Sequence, residues 1–144
     1  FNFEEVVGTK NQTLELYKLF KKRKKIEKIS ANTKLIYNEH EAFVEKHPYR
    51  HWLLIRREDA YIGSVYLTEL NSIGLSIEDK YIKYAEKIIM LIVNTFDPLP
   101  EIPSVRRASF HINIGIENRK YEKMLINIGA KLMQKSYVLP GKNG

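Results

Sequence analysis

The sequence predicts a single α/β domain with mixed strand directions, and three observations support this prediction. The chain has 144 residues, of which 44% are hydrophobic and 28% charged, which suits one globular core. Three strand-like stretches follow one another between residues 51 and 77, a spacing typical of an antiparallel meander. Apolar residues recur at three- and four-residue intervals from Ile82 to Phe96, which indicates an amphipathic helix. The domain is predicted to span residues 1–144, because no internal repeat or long linker divides it.

The N-terminal residues predict a strand followed by a helix. Residues 3–7 form a short strand pattern that ends at Gly8. Thr9 and Gln12 have the spacing of a capping box, in which each side chain binds the other residue's backbone N–H group. Apolar residues on one helical face then predict a first helix over residues 11–23.

A second helix is predicted to begin at Asn38 and to end before Pro48, which cannot continue a helix. Its inward residues are predicted to be Phe43 and Val44. The stretch 26–36, which precedes it, fits neither a helix nor a strand clearly.

Three strands are predicted next, over residues 51–56, 61–70 and 73–77. The charged residues 57–59 form the first turn, and Asn71 with Ser72 interrupts the apolar run before the third strand.

The C-terminal half predicts two helices and two further strands. A long helix is predicted over residues 80–95, and three prolines then make 98–103 a loop. Alternating residues predict strands over 106–114 and 131–139. The last helix lies between them and is expected to end at Gly129, a typical C-terminal cap.

Composition excludes several classes of protein and site. The chain contains no Cys, which rules out disulfide scaffolds and thiolate zinc sites. His47, His51 and His111 lack metal-ligand spacing, so no metal is predicted. No Walker-type loop, Gly-x-Ser-x-Gly nucleophile elbow or apolar stretch of membrane-spanning length is present. We therefore expect a cytoplasmic protein without membrane partners, and the start at Phe1 rather than Met suggests a piece of a longer polypeptide.

The formal net charge of +7 indicates an anionic partner, and part of it is concentrated in residues 18–28. Such a run can bind nucleic acid, which gives one functional hypothesis. The favoured interpretation is the solvated C-terminal end of a helix, where cations suit the helix dipole. No aromatic residues alternate with these cations to stack on bases, so nucleic acid is disfavoured as a partner.

The order of the predicted elements and the residues 111–118 and 125–132 resemble the GNAT family of N-acetyltransferases. The resemblance lies in an Asn, a helix and a Gly near its end, here Asn118 and Gly129, eleven residues apart. Ala130 stands where the family has Phe. The resemblance covers about residues 3–139.

This resemblance implies a central twisted sheet, mixed but mostly antiparallel, flanked by about four helices. It implies transfer of an acetyl group from acetyl-CoA, or of another acyl group from its acyl-CoA, directly to the primary amine of a small molecule. The backbone of Leu75, Ser76 and Ile77 would polarise the thioester carbonyl. A homodimer also remains open, because many members of the family pair through their last strands.

The family's pyrophosphate loop corresponds to six residues here. They are Lys80, Tyr81, Ile82, Lys83, Tyr84 and Ala85. Lys83 replaces the central Gly, so that its side chain either crowds the phosphates or, with Lys80, adds positive charge. Asn113 and Asn118 complete the cofactor-binding residues that the resemblance implies.

Three residues are candidates for proton transfer. The family's thiol-protonating Tyr falls on Leu125, and Tyr121, one turn earlier, is the candidate replacement, although it also fits a core aromatic. Glu69 and His40 are the candidate general bases, and an imidazole titrates in the range that such a reaction needs. Each also has a simpler interpretation, His40 as a surface or capping residue and Glu69 as an exposed carboxylate.

Part of the sequence resembles the branch of the family that acylates nucleotide-linked amino sugars. The resemblance rests on His40 with Phe43, on residues 48–52 and on residues 63–66. The substrate-binding candidates are Tyr49, Arg50, Trp52 and Asn71. Trp52 fits a core residue better than a stacking wall, and Arg50 could pair with a phosphate.

Lys83 and Leu125, which replace family residues, leave an alternative open. In that alternative, the domain has the same fold but is catalytically silent and binds a ligand or a partner.

Overall fold

An antiparallel meander of four strands is the framework of the first part of the chain. The computed structural model describes residues 1–24 and 33–142. Its strands are β1 (Asn2–Glu5), β2 (His51–Arg57), β3 (Ala60–Leu67) and β4 (Ile73–Ile77). Each strand pairs with its sequence neighbour. The predicted meander is confirmed, although the strand predicted over 61–70 ends at Leu67.

The helices differ from the prediction mainly at their starts. They are α1 (Lys10–Lys24), α2 (Thr33–Lys46), a 3₁₀ helix (Asp79–Tyr84), α3 (Ala85–Thr95) and α4 (Arg119–Asn127). The predicted start of α2 at Asn38 is wrong, because the helix already begins at Thr33. The single helix predicted over 80–95 is also wrong, since its first part is a 3₁₀ helix. Most of the ambiguous stretch 26–36 lies outside the described residues.

The sheet separates two apolar layers within residues 1–113. On one face, α1 and α2 pack against a cluster of buried residues. They are Val6, Leu16, Leu19, Val44, Trp52 and Leu54. On the other face, α3 packs against a second cluster. Its buried members are Ile55, Ile62, Val65, Leu67, Ile73, Ile88 and Ile92. Neighbouring residues of a strand point to opposite faces, so Leu54 and Ile55 supply one fully buried side chain to each layer.

Trp52 and Phe43 show which sequence predictions about the core hold. Trp52 is buried, as expected of a core residue. Val44 is buried too, but the inward position predicted for Phe43 is wrong, because its side chain is 42% exposed. These two residues lie about 100° apart around the helix, and Val44 reaches the buried cluster whereas Phe43 stays partly exposed.

The predicted capping box at the start of α1 is confirmed. The backbone N–H of Gln12 donates to Thr9 Oγ1 at 3.1 Å, and Gln12 Oε1 accepts from the Thr9 N–H at 3.4 Å. Gln12 is almost fully buried, and its Oε1 also accepts from the Val7 N–H at 2.8 Å. This side chain therefore fixes the path of the chain between β1 and α1.

Two predicted strands are wrong. Residues 106–114 form no strand; they carry a bridge from Arg106 to Ile102 and a parallel bridge from His111 to Ser72. Residues 131–139 form no strand either, and their side chains are exposed. Alternating polar and apolar residues form a strand only where a neighbouring strand hydrogen-bonds to their backbone groups. Neither stretch has such a neighbour along its length in the described structure.

Residues 114–144 form a second unit, considered by itself. Asn118 caps α4, with its Oδ1 accepting from the Tyr121 N–H at 3.3 Å. Gly129 has φ 92°, and the N–H of Ala130 donates to Leu125 O at 2.9 Å. This is a Schellman motif, so the predicted C-terminal cap is confirmed. None of the helices in the described residues has the length and apolar character that a membrane crossing needs.

Candidate functional site

A cavity of about 340 Å³ lies between α1, α2 and the sheet. Helix α2 lines it with Ile36, Glu39, His40 and Phe43. These residues follow the spacing i, i+3, i+4, i+7, which places them along one helical face. The exposed Phe43 is therefore a wall of this open cavity rather than part of the packed core.

Helix α1 and the sheet form the remaining walls. Leu16, Leu19 and Phe20 of α1 line one side with the same helical spacing. Ser64 and Ser76 lie side by side on the floor, because they are directly opposite each other in the β3–β4 register. The floor thus presents two hydroxyl groups between apolar walls.

Aromatic rings shape the end of the cavity nearest β2. The rings of Tyr49 and Tyr66 stack with centroids 3.9 Å apart and an interplanar angle of 13°. Trp52 meets Tyr49 edge-on at 5.0 Å and Phe43 at 5.8 Å. All four rings line the cavity. Their faces and edges provide the offset and T-shaped contacts that planar ligands also make.

Tyr66 lies over a glycine of the neighbouring strand. Gly74 is directly opposite Tyr66 in the β3–β4 register. A Cβ atom at Gly74 would overlap the ring of Tyr66. The absence of a side chain there allows the ring to lie flat against β4 and to stack on Tyr49.

A polar cluster outside the cavity joins β1, α1 and β3. Glu4 accepts hydrogen bonds from Gln12 Nε2 at 3.0 Å and from the Tyr61 hydroxyl at 2.9 Å. The hydrogen bond from Gln12, followed by that from Tyr61, lowers the pKa of Glu4 below its ordinary value of 4.5. Partial burial and the bond to Glu4 raise the pKa of Tyr61.

This cluster predicts an acid-sensitive contribution to stability. The pKa of Glu4 is lower in the folded than in the unfolded chain, so its contribution is present above about pH 4.5 and disappears as the pH falls through the folded value. We expect Glu4→Gln to lose less free energy of unfolding than the wild type between neutral pH and about pH 3. Urea unfolding at both pH values measures this. The exposed neighbour variant Glu5→Gln is the control and should follow the wild type; equal pH dependence of all three proteins would contradict the prediction.

One edge of β4 is open beyond its first residue. The Ile73 N–H donates to His111 O at 2.8 Å, and the His111 N–H donates to Asn71 O at 3.0 Å. No further backbone bond joins β4 to residues 110–113 in the described structure. Because backbone groups alternate along an antiparallel strand, the N–H groups of Leu75 and Ile77 face this same side, away from β3.

The structure brings together four of the residues that the sequence nominated. His40, Tyr49, Trp52 and Ser76 all line the cavity. Trp52 combines both interpretations given to it, since it is buried in the core and also forms part of the cavity wall.

Three other nominated residues lie elsewhere in the same unit. The Arg50 guanidinium donates to Asp97 O at 2.9 Å, and Glu69 is exposed, with its backbone carbonyl accepting from Arg106 at 3.0 Å. Asn71 is fully buried and holds the loop after α3: its Nδ2 donates to Leu99 O and Arg107 O, and its Oδ1 accepts from the Leu99 N–H. None of the three lines the cavity.

The stretch that corresponds to the pyrophosphate loop is the 3₁₀ helix and the first residue of α3. Tyr81 and Tyr84 pack against the apolar layer around α3, and Ala85 is buried. The Lys80 ammonium lies 3.8 Å from Glu78, and that of Lys83 lies over the Tyr84 ring. Ile82, within the 3₁₀ helix, is half-buried.

The remaining nominated residues lie at or beyond the boundary of the second unit. Asn113 is exposed at the end of the first unit. Asn118 and Tyr121 belong to the second unit, where Asn118 is the cap of α4 described above.

The basic run is described only as far as residue 24. Within it, Lys18 pairs with Glu15 at 3.3 Å and Lys22 pairs with Glu78 at 3.1 Å. The Lys21 ammonium lies over the Tyr17 ring. Lys18, Lys21 and Lys22 thus contact acidic or aromatic groups of the same chain, and residues 25–28 lie outside the described structure.

Glu39, Ser64 and Tyr66 complete the cavity although the sequence nominated none of them. The helical spacing of residues 36, 39, 40 and 43 was the available signal for Glu39, and the period of two in β3 was the signal for Ser64 and Tyr66. Neither pattern shows that this face of α2 and this face of the sheet enclose a cavity instead of packing closely against each other.

Comparison of the chain with protein-family models, curated proteins and solved structures gave no match.

Proposed function

We propose that this chain is an acyl-CoA-dependent N-acetyltransferase that transfers an acetyl group to the primary amine of a small molecule. The observation that carries the proposal is the position of Ser76. It lies on the cavity floor and also between Leu75 and Ile77, whose N–H groups face the open edge of β4. The amine of a substrate in the cavity and the thioester carbonyl of a cofactor at that edge would both lie at β4.

The order of the elements supports the same proposal. From β1 to α3 the chain runs strand, two helices, three strands and a helix, the order that the resemblance implies. The parallel bridge between Ser72 and His111, followed by an open edge, supplies the place where an extended cofactor arm could add to β4.

The residues fit acetyl-CoA at two places. Backbone N–H groups of Leu75 and Ile77 suit the carbonyl groups of the cofactor, and the exposed Lys80 and Lys83 suit its phosphates. The cofactor, when bound, supplies an activated thioester carbonyl. The two N–H groups would stabilise negative charge on that carbonyl oxygen, because their positions are fixed by the β3–β4 ladder.

His40 is the candidate proton acceptor that the cavity favours. Its imidazole lines the cavity, whereas Glu69 does not. A primary amine must lose a proton before it attacks, and a general base must lie within hydrogen-bonding reach of it. The proposal therefore assigns proton removal to His40.

The proposal predicts that acetyl-CoA binds and that a proline at the open edge weakens binding. Leu75→Pro removes an N–H group that faces away from β3, so the β3–β4 ladder keeps its bonds. We expect about tenfold weaker binding of acetyl-CoA in calorimetry, the worth of one hydrogen bond.

Leu75→Ala is the matched control, because it shortens the side chain and keeps the N–H group. It should bind acetyl-CoA nearly as well as the wild type. If folded wild-type protein bound no acetyl-CoA at about 1 mM, the proposal would fail. Equal weakening by the two variants would contradict the assigned role of the β4 edge.

A second candidate function is a catalytically silent ligand-binding domain. The observation that favours it is the acidic pair Glu78 and Asp79 beside Lys80, together with Lys83 where the family's loop has Gly. The negative charges of these carboxylates would repel the phosphates of acetyl-CoA. A folded protein that binds a ligand in the cavity but no acetyl-CoA would favour this function.

A further inference from the structure

The charged side chains in the described lining of the cavity are of one sign. Its described lining contains one carboxylate, that of Glu39, and no Lys or Arg. Glu39 has no ion-pair partner among the described side chains. The other polar groups of the described lining are the His40 imidazole, the Trp52 indole N–H, the Tyr hydroxyls and the hydroxyls of Ser64 and Ser76. A cation is therefore the charged ligand that this lining can neutralise.

The walls of the cavity suit a flat apolar body. Tyr66 stacks on Tyr49, and the indole of Trp52 forms part of the same wall. The rings of Phe20 and His40, which belong to α1 and α2, also line the cavity and stack with an interplanar angle of 18°. The ring surfaces of this lining that are not engaged in these stacks can contact a planar apolar group, and an aromatic ring face also attracts an organic cation.

We propose that the ligand of this cavity is a small organic amine with a planar apolar ring, whose ammonium group is neutralised by Glu39 and hydrogen-bonded by the two serines. Its role as the acetyl acceptor rests on the proposed function, whereas its binding does not. The neutral ring of such a ligand would lie between the aromatic walls, and its ammonium group would lie at the carboxylate of Glu39. Each part of the lining would then contact a matching part of the ligand.

This ligand class differs from a nucleotide-linked amino sugar. A diphosphate needs cationic partners, and bidentate Arg contacts are the strongest of these. Arg50, the nearest candidate in the sequence, donates to Asp97 O and does not line the cavity. The charge of the described lining would repel a diphosphate instead of binding it.

Trp52 allows binding to be measured without a cofactor. It is the one Trp of the chain and lines the cavity, so its fluorescence reports on occupancy. We expect phenethylamine to change this emission saturably at neutral pH. Phenylacetate, with the same ring and opposite charge, and propylamine, with the charge but no ring, should each bind about tenfold more weakly.

Glu39→Gln tests the carboxylate, and Glu41→Gln is its matched control. Glu41 lies on the same helix two residues further on, about 200° around it, and does not line the cavity. We expect Glu39→Gln to weaken phenethylamine binding about threefold to fivefold, as for a partly exposed ion pair, and Glu41→Gln to leave it unchanged.

Three results would overturn the proposal. They are phenylacetate binding as tightly as phenethylamine, UDP-glucosamine binding more tightly than either, and no saturable change with folded protein. Because acetyl-CoA is absent from these titrations, they are independent of the calorimetric test. Amine binding without acetyl-CoA binding would refute the transferase proposal alone, and the reverse result would refute this inference alone.

Discussion

Asn71→Ala is expected to lower the free energy of unfolding by about 3 kcal/mol, because three side-chain hydrogen bonds of about 1 kcal/mol each are lost. These bonds join Asn71 to Leu99 and Arg107 at 2.7–2.9 Å, and the side chain is fully buried. The backbone of Asn71 adds to the effect, since its φ of 67° lies in the left-handed region that Ala disfavours. Urea denaturation measures the change.

Two further variants separate these causes. Asn71→Gly loses the amide but tolerates the positive φ, so it should be more stable than Asn71→Ala by about 1 kcal/mol. Asn94→Ala removes an exposed Asn from α3 and should change the free energy of unfolding by no more than about 0.5 kcal/mol. If Asn71→Ala were as stable as Asn94→Ala, the assigned role of the amide would be wrong.

Leu54→Ala and Ile55→Ala are each expected to lower the free energy of unfolding by about 2–5 kcal/mol. Both side chains are fully buried in β2, and truncation leaves a space that the surrounding layer can only partly fill. Such a loss is large against the total of about 5–15 kcal/mol for an ordinary domain. Chemical denaturation of both variants gives the values.

The two variants differ in what they do to the cavity. Leu54 belongs to the cluster of Trp52, whereas Ile55 packs in the layer of α3. We therefore expect Leu54→Ala to shift the emission of Trp52 and to weaken phenethylamine binding, and Ile55→Ala to change neither in the folded protein. A similar shift in both variants would mean that the two layers are not independent.

The elements of this fold could be predicted where they depend on residues that are close in sequence. The capping box of Thr9 and Gln12, the meander of 51–77 and the Gly129 cap depend on residues close in sequence, and all three are present. Strands at 106–114 and 131–139 could not be judged this way, since alternation describes side chains and says nothing about a partner for the backbone.

The cavity was predictable only in part. Trp52 and His40 were nominated from the family resemblance and their residue types, but Glu39 and Ser64 become site residues only because a cavity lies between α2 and the sheet. Asn71 shows the opposite case. It was a candidate substrate-binding residue, whereas its amide is hydrogen-bonded to Leu99 and Arg107, residues distant in sequence.

The shape of the cavity depends on the missing side chain of Gly74. It does not line the cavity, yet its missing Cβ is what lets Tyr66 lie flat beneath Tyr49. A single methyl group at Gly74 would force the Tyr66 ring to move, altering the wall without replacing any residue that touches the ligand. Under the proposed function, preference among related amines could thus diverge between descendants of this protein through a residue that does not line the cavity.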